Sequence, residues 1–127
     1  MKKLLAIVDN WEKLDIYEQN LGKFFAVGCA PFGDYGIQMA LEDKPDVILL
    51  NLAFENMTLS EAAVLIREQE SLRNVPLLLI DEVNEPLSIV LSERDHLLVG
   101  TSPFEEVLIA LHRLASLDDP EIPKKRE

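Results

Sequence analysis

Asp46-Val47-Ile48-Leu49-Leu50-Asn51-Leu52 is the stretch on which the fold turns. Val47 to Leu50 is an unbroken apolar run that closes on an amide. A strand with one wet face alternates apolar and polar residues. An unbroken run is buried on both faces, as in a parallel sheet between two layers of helices. Lys44-Pro45 just before it ends the preceding helix, because a proline disfavours helical backbone in the residue ahead of it. Working outward, Lys3 to Val8, Lys23 to Ala30, Val75 to Ile80 and His96 to Gly100 read as four more strands. Between them lie stretches of helical period: Trp11 to Leu21, Tyr35 to Asp43, a helix from the capping box Thr58-Leu59-Ser60-Glu61 to about Leu72, and a weaker candidate over Glu85 to Glu93. A last helix runs to about Leu117 from Ser102-Pro103-Phe104-Glu105, a second capping-box pattern with proline at the first helical position. Strands alternating with helices at this spacing predict right-handed βαβ crossovers and a doubly wound, five-stranded parallel α/β sheet with helices on both faces.

The 127 residues suit one domain over 1–117, followed by a tail or linker over 118–127 that carries two prolines and mixed charge. No apolar run is long enough to span a bilayer. Met1 to Asp9 reads as a first strand rather than a leader, since Asp9 cuts its apolar part short. The single cysteine, Cys29, forms no disulfide within the chain, and the expectation is a cytoplasmic protein with a buried, inert thiol. The net charge of −11 argues against direct nucleic-acid binding, which needs a concentrated basic surface, and suits a basic patch on a protein partner. His96 and His112 have no ligand set near them in sequence.

In sheets of this kind functional groups gather at the carboxyl ends of the strands. The residues there are Asp9 and Asn10, Asn51, Asp81 and Glu82, and Thr101 and Ser102 just beyond the last strand. They include no glycine-rich phosphate loop and no nucleophile–base pair, so a small-molecule enzyme or nucleotide binder of flavodoxin-like fold is the weaker expectation.

At this point the chain resembles the receiver domains of response regulators (CheY-like proteins, sheet order 2-1-3-4-5) along roughly residues 2 to 117. The resemblance rests on four segments in order: Ile7-Val8-Asp9-Asn10, Lys44-Pro45-Asp46-Val47-Ile48-Leu49-Leu50-Asn51-Leu52, Val75-Pro76-Leu77-Leu78-Leu79-Ile80-Asp81, and Ser102-Pro103-Phe104. It implies a flavodoxin-like fold and a role in two-component signal transduction or a phosphorelay. It also implies a pocket in which an aspartate takes a phosphoryl group beside a divalent metal, with a Thr/Ser hydroxyl and a lysine holding the phosphoryl oxygens.

Residue by residue, this chain departs from that chemistry. Asp9 matches one member of the acidic pair and Asn10 replaces the other. Asn51 stands at the phosphoacceptor position, Asp81 at the hydroxyl, Ser102 at the lysine and Val99 at the switch aromatic. Glu55-Asn56 and Leu59 replace residues common after the acceptor. An amide is not a competent oxygen nucleophile for stable phosphorylation, and a carboxylate at position 81 would repel a phosphoryl group. The expectation is therefore a pseudo-receiver with a degenerate pocket (Asp9, Asn10, Asn51, Asp81, Ser102), no catalytic residues and no enzymatic activity. Mg²⁺ binding is expected to be weak or absent, with Asp9 and Asp81 the only candidate ligands. The alternative is a receiver phosphorylated at a nonstandard site such as Asp81. By resemblance, partner binding or self-association uses the face of the fourth helix, fifth strand and fifth helix, with Leu87, Ile89, Val90, Leu98 and Ile109 as interface candidates. Ser102 also reads as a helix cap, its bond to Pro103 as a candidate cis peptide, and Trp11 as an anchor of the first helix or a lid on the pocket.

Overall fold

The computed structural model describes residues 1–30, 33–52, 57–84 and 86–119. Its elements run β1 (Lys3–Val8), α1 (Trp11–Leu21), β2 (Ala26–Ala30), α2 (Gly33–Asp43), β3 (Val47–Asn51), α3 (Leu59–Glu68), a single 3₁₀ turn at Glu70–Leu72, β4 (Leu77–Asp81), β5 (Asp95–Val99) and α4 (Phe104–Ala115). The five strands form one parallel sheet in the order β2-β1-β3-β4-β5. The doubly wound fold expected from the apolar runs is present.

The core lies in two layers, one on each face of the sheet. Strand pleating sends successive side chains to opposite faces. Leu5, Ile7, Ile48, Leu50, Leu77 and Leu79 pack with Ala40 of α2 and Ala62, Ala63 and Ile66 of α3. Leu4, Val47, Leu49, Leu78 and Ile80 pack with Leu21 of α1 and Val107, Leu111 and Leu114 of α4. β3 is buried along its whole length, which is why it reads as continuous apolar sequence. Gly36 lets α2 sit close on β1, since a Cβ there would lie 2.7 Å from Ile7 Cγ1. Between α2 and β3 the backbone turns through Lys44 at φ 51°. Among the described residues no helix is long and apolar enough to cross a membrane.

Three local expectations are corrected. The helix expected over Glu85 to Glu93 is absent: Glu85 lies outside the described residues, and 86–93 take no regular structure. Pro86 and the scatter of Leu87, Ile89 and Leu91 explain this. These three side chains alternate, as in an extended strap, and pack against the α2–α3 core. Ser60, buried in α3, accepts the Ser88 N–H at 3.0 Å and fastens the strap. The two predicted capping boxes also fare differently. At α3 the box is complete: Thr58 Oγ1 accepts the Glu61 N–H at 3.1 Å, and Glu61 Oε1 accepts the Thr58 N–H at 3.4 Å. At α4 the cap position is Pro103 and no side chain caps the helix. No peptide bond among the described residues is cis, Ser102–Pro103 included.

Candidate functional site at the carboxyl end of the sheet

The site begins with α1. Asn10 is its N-cap, and its Oδ1 accepts the Lys13 N–H at 2.9 Å. That cap directs the first turn so that residues four apart, Asp9, Lys13 and Tyr17, line one side and meet the strand ends. Lys13 reaches inward. Its Nζ lies 2.8 Å from Asp9 Oδ1, 2.8 Å from Glu82 Oε1 and 3.3 Å from Asn51 Oδ1. Three oxygens, from the residue after β1, the end of β3 and the loop after β4, thus converge on one ammonium.

Asn51 is 2% exposed and engaged at both ends of its amide. Nδ2 donates to Tyr17 Oη at 2.7 Å and to Glu82 Oε2 at 3.1 Å, while Oδ1 accepts from Lys13. Glu82 is held by its surroundings as well. A Cβ on Gly100 would lie 2.6 Å from Glu82 Cγ, so only glycine leaves the glutamate its place. Burial opposes the charge on Lys13, but hydrogen bonds to Asp9 and Glu82 outweigh it and hold the ammonium above its ordinary pKa. Burial, above all, raises Tyr17, so its hydroxyl keeps its proton. Every buried side-chain nitrogen or oxygen among the described residues has a hydrogen-bond partner.

The sequence-derived candidates separate into two groups. Asp9, Asn10 and Asn51 belong to one network, and Asn10 Nδ2 also donates to Asp9 Oδ1 at 3.3 Å. Asp81 turns to its own loop, where Oδ1 accepts the Val83 N–H at 3.1 Å. With Glu82, Asn84, Val99, Gly100 and Thr101 it lines an open cleft of about 480 Å³. Ser102 donates its N–H to Val99 O at 3.0 Å. Glu55 and Asn56 lie outside the described residues. Lys13 and Tyr17 are the members that sequence reasoning missed. A signal existed for both, in the four-residue spacing of Asp9, Lys13 and Tyr17 across a capped helix start. Glu82 was named with Asp81 at the end of the fourth strand but given no role of its own.

The remaining candidates are placed as follows. Leu87 and Ile89 are part of the core packing. Leu98 packs against the α1–α4 layer. Val90 (95% exposed) and Ile109 (67%) project outward. Trp11 is 69% exposed, so it does not anchor α1. Cys29 is half-buried, and its thiol pKa is pushed up to about 11 by burial and then by Glu18 and Asp15, which makes it a poor nucleophile. His112 stacks on Phe25 with ring centroids 4.8 Å apart, and His96 Nδ1 lies 3.2 Å from an Arg113 nitrogen.

No protein-family model matches the chain, and no curated protein matches its sequence. Solved structures do. The chemotaxis protein CheY4 of Vibrio cholerae superposes with a TM-score of 0.76 at 22% identity, over 90% of this chain and 98% of that one. The receiver domain of the sensor histidine kinase PA1611 of Pseudomonas aeruginosa, which holds a magnesium ion in its active-site cleft, superposes at 0.74 with 19% identity, over 91% and 98%. A chain of the complex between the histidine kinase ThkA and the response regulator TrrA gives 0.75 at 18%, over 90% and 98%. The fold is thus the CheY-like, flavodoxin-type fold of receiver domains. A magnesium ion does not fit the side chains of this site as they stand. The Lys13 ammonium already lies among the converging oxygens, and no group of three or more His, Cys, Asp or Glu side chains among the described residues is placed to hold a metal.

Proposed function

We propose that this chain is a pseudo-receiver of two-component-type signalling, a protein–protein interaction module that works without being phosphorylated and without enzymatic activity. The observation that carries this is the state of Asn51. The residue at the strand end is an amide, 2% exposed, bonded on both sides, with a lysine ammonium beside it. A phosphoryl group needs an oxygen nucleophile, an approach path and counter-charge for its own oxygens. Here the residue at the acceptor position is an amide, and the Lys13 ammonium beside it is held by two carboxylates of the protein itself.

Exposed Val90, Val99 and Ile109 give a partner or a second copy apolar contact, and the net charge of −11 favours a basic partner surface over a nucleic acid. The same charge and the receiver fold suit a cytoplasmic signalling protein. The test is incubation of the native chain with acetyl phosphate and Mg²⁺, followed by intact-mass measurement. The expected result is an unchanged mass. A phosphoryl-sized adduct would overturn the reading, and peptide mapping of that adduct to Asp81, whose cleft is open, would establish the alternative of a nonstandard acceptor.

A further inference from the structure

Three features identify what Lys13 does. Its donors meet oxygens from three separate chain segments. The set is two carboxylates and one amide carbonyl, the hard-oxygen chemistry that also suits a divalent cation. And the ammonium is compact, with its charge at one point, unlike a guanidinium. We propose that Lys13 is the resident cation of this cleft: its ammonium stands in for a divalent ion among Asp9, Glu82 and Asn51 and closes the site to one. This rests on the phosphorylation-independent reading and gives it a cause.

The balance of charge and distance supports the assignment. Asp9 and Glu82 bring two negative charges and Lys13 one positive charge, so these three side chains keep one surplus negative charge, and a dication in place of the ammonium would balance both carboxylates. The oxygens stand 2.8, 2.8 and 3.3 Å from Nζ. Calcium sits about 2.3–2.6 Å from its oxygens and magnesium about 2.0–2.1 Å. Contraction around calcium is the smaller movement, and water completes either shell. With Lys13 present, a metal must first expel an ammonium whose backbone N–H is held by the Asn10 cap at the start of α1.

The experiment titrates Ca²⁺ and Mg²⁺ separately into the native chain and into Lys13→Met, read by backbone amide NMR shifts at 9–13, 51 and 82 and by melting temperature. No phosphodonor is present. The native chain should show no saturable shifts beyond those of sodium chloride at equal ionic strength. Lys13→Met should bind with a Kd of about 1 mM or below, more tightly for calcium, and melt higher with the ion; adding Asp9→Asn should weaken binding at least about tenfold. Lys13→Gln is the second variant. A variant that folds only with divalent ion also supports the assignment. Submillimolar binding by the native chain overturns it, as does failure of both variants to bind, whether they are folded or unfolded. The two readings fail separately. A phosphoryl adduct on the native chain removes the function proposed above and leaves the metal titration standing.

Discussion

The two ends of the sheet each carry a carboxylate paired with a cation, and they use the pair differently. At the carboxyl end Asp9 meets Lys13. At the amino end Asp95, whose side chain is 3% exposed, meets Arg67 of α3. Arg67 Nη1 also donates to Arg73 O at 2.7 Å and Val75 O at 3.3 Å, and Asp95 Oδ2 accepts from Ser92 N–H and Oγ–H. That cluster pairs one guanidinium with one carboxylate, and the planar fork of the guanidinium reaches two backbone carbonyls besides. It ties α3, the start of β4 and the end of the strap together. The Lys13 cluster holds one cation against two carboxylates and an amide, gathered around a point rather than spread over a surface. The amino end is built as a latch and the carboxyl end as a cation site. The same ion-pair chemistry therefore serves structure in one place and occupies a site in the other.

The largest expected effect is at the latch. Arg67→Met keeps the aliphatic contacts of the arginine and leaves a buried carboxylate without its cation. Removing one member of a buried pair costs about 3 kcal/mol or more. Urea denaturation should show that loss, with the strap's amides, Ser88 above all, losing protection in hydrogen exchange. A loss below about 1 kcal/mol would mean that the latch behaves as a surface pair, and the contrast between the two ends would collapse.

The comparison also shows how far sequence reasoning reaches. The bounds of β1 and α1 were legible because apolar continuity and then helical period change sharply at Asp9-Asn10, where a cap residue sits. The strap was misread because Glu85 to Glu93 is rich in residues that accept a helix, while the side chains that decide its path, Leu87, Ile89 and Leu91, take their meaning from the α2–α3 layer they cover. At the site, Asp9 and Asn51 were legible from their places at strand ends. The role of Asp81 was open from sequence, because neighbours on a turn point in different directions and only the close packing of Gly100 makes Glu82 the one that reaches inward. Arg67 and Asp95 are 28 residues apart and gave no local pattern at all.

At the carboxyl end, Lys13→Met in metal-free buffer should cost about 1–2 kcal/mol at neutral pH, less than the latch because Glu82 is a third exposed. Its pH dependence identifies the group. The folded pKa of Lys13 lies above the ordinary lysine value of 10.5. A raised pKa means that its contribution is fully present below 10.5 and is lost as pH rises through the folded value. The stability difference between native chain and variant should therefore stay level from pH 7 to about 10 and close above 10.5. Tyr17 is raised too and loses its contribution in the same direction, and because Lys13 itself lowers the Tyr17 pKa, the difference is read in a Tyr17→Phe background. A difference that changes near pH 7 would point to a group other than Lys13.

The smallest effects separate the residues that build the carboxyl end from those that merely stand there. Asn10 and Ser102 are both small polar residues ahead of a helix, the kind of residue that caps one. Asn10 accepts the Lys13 N–H and so sets the direction from which the lysine enters, whereas α4 begins at Phe104 behind an uncapped Pro103. Asn10→Ala should cost about 1 kcal/mol, the ordinary value of a lost cap. It should also shift the amide resonances of residues 51 and 82, because loosening the first turn of α1 moves the ammonium that those residues share. Ser102→Ala should change stability by less than about 0.5 kcal/mol, as expected of a substitution that removes no cap, cavity or charge, and leave those resonances in place. If Ser102→Ala instead disturbed residues 51 and 82, the cation site would extend across to the start of α4, and the carboxyl end would have to be treated as one cluster from β1 to β5 rather than as a point held by three oxygens.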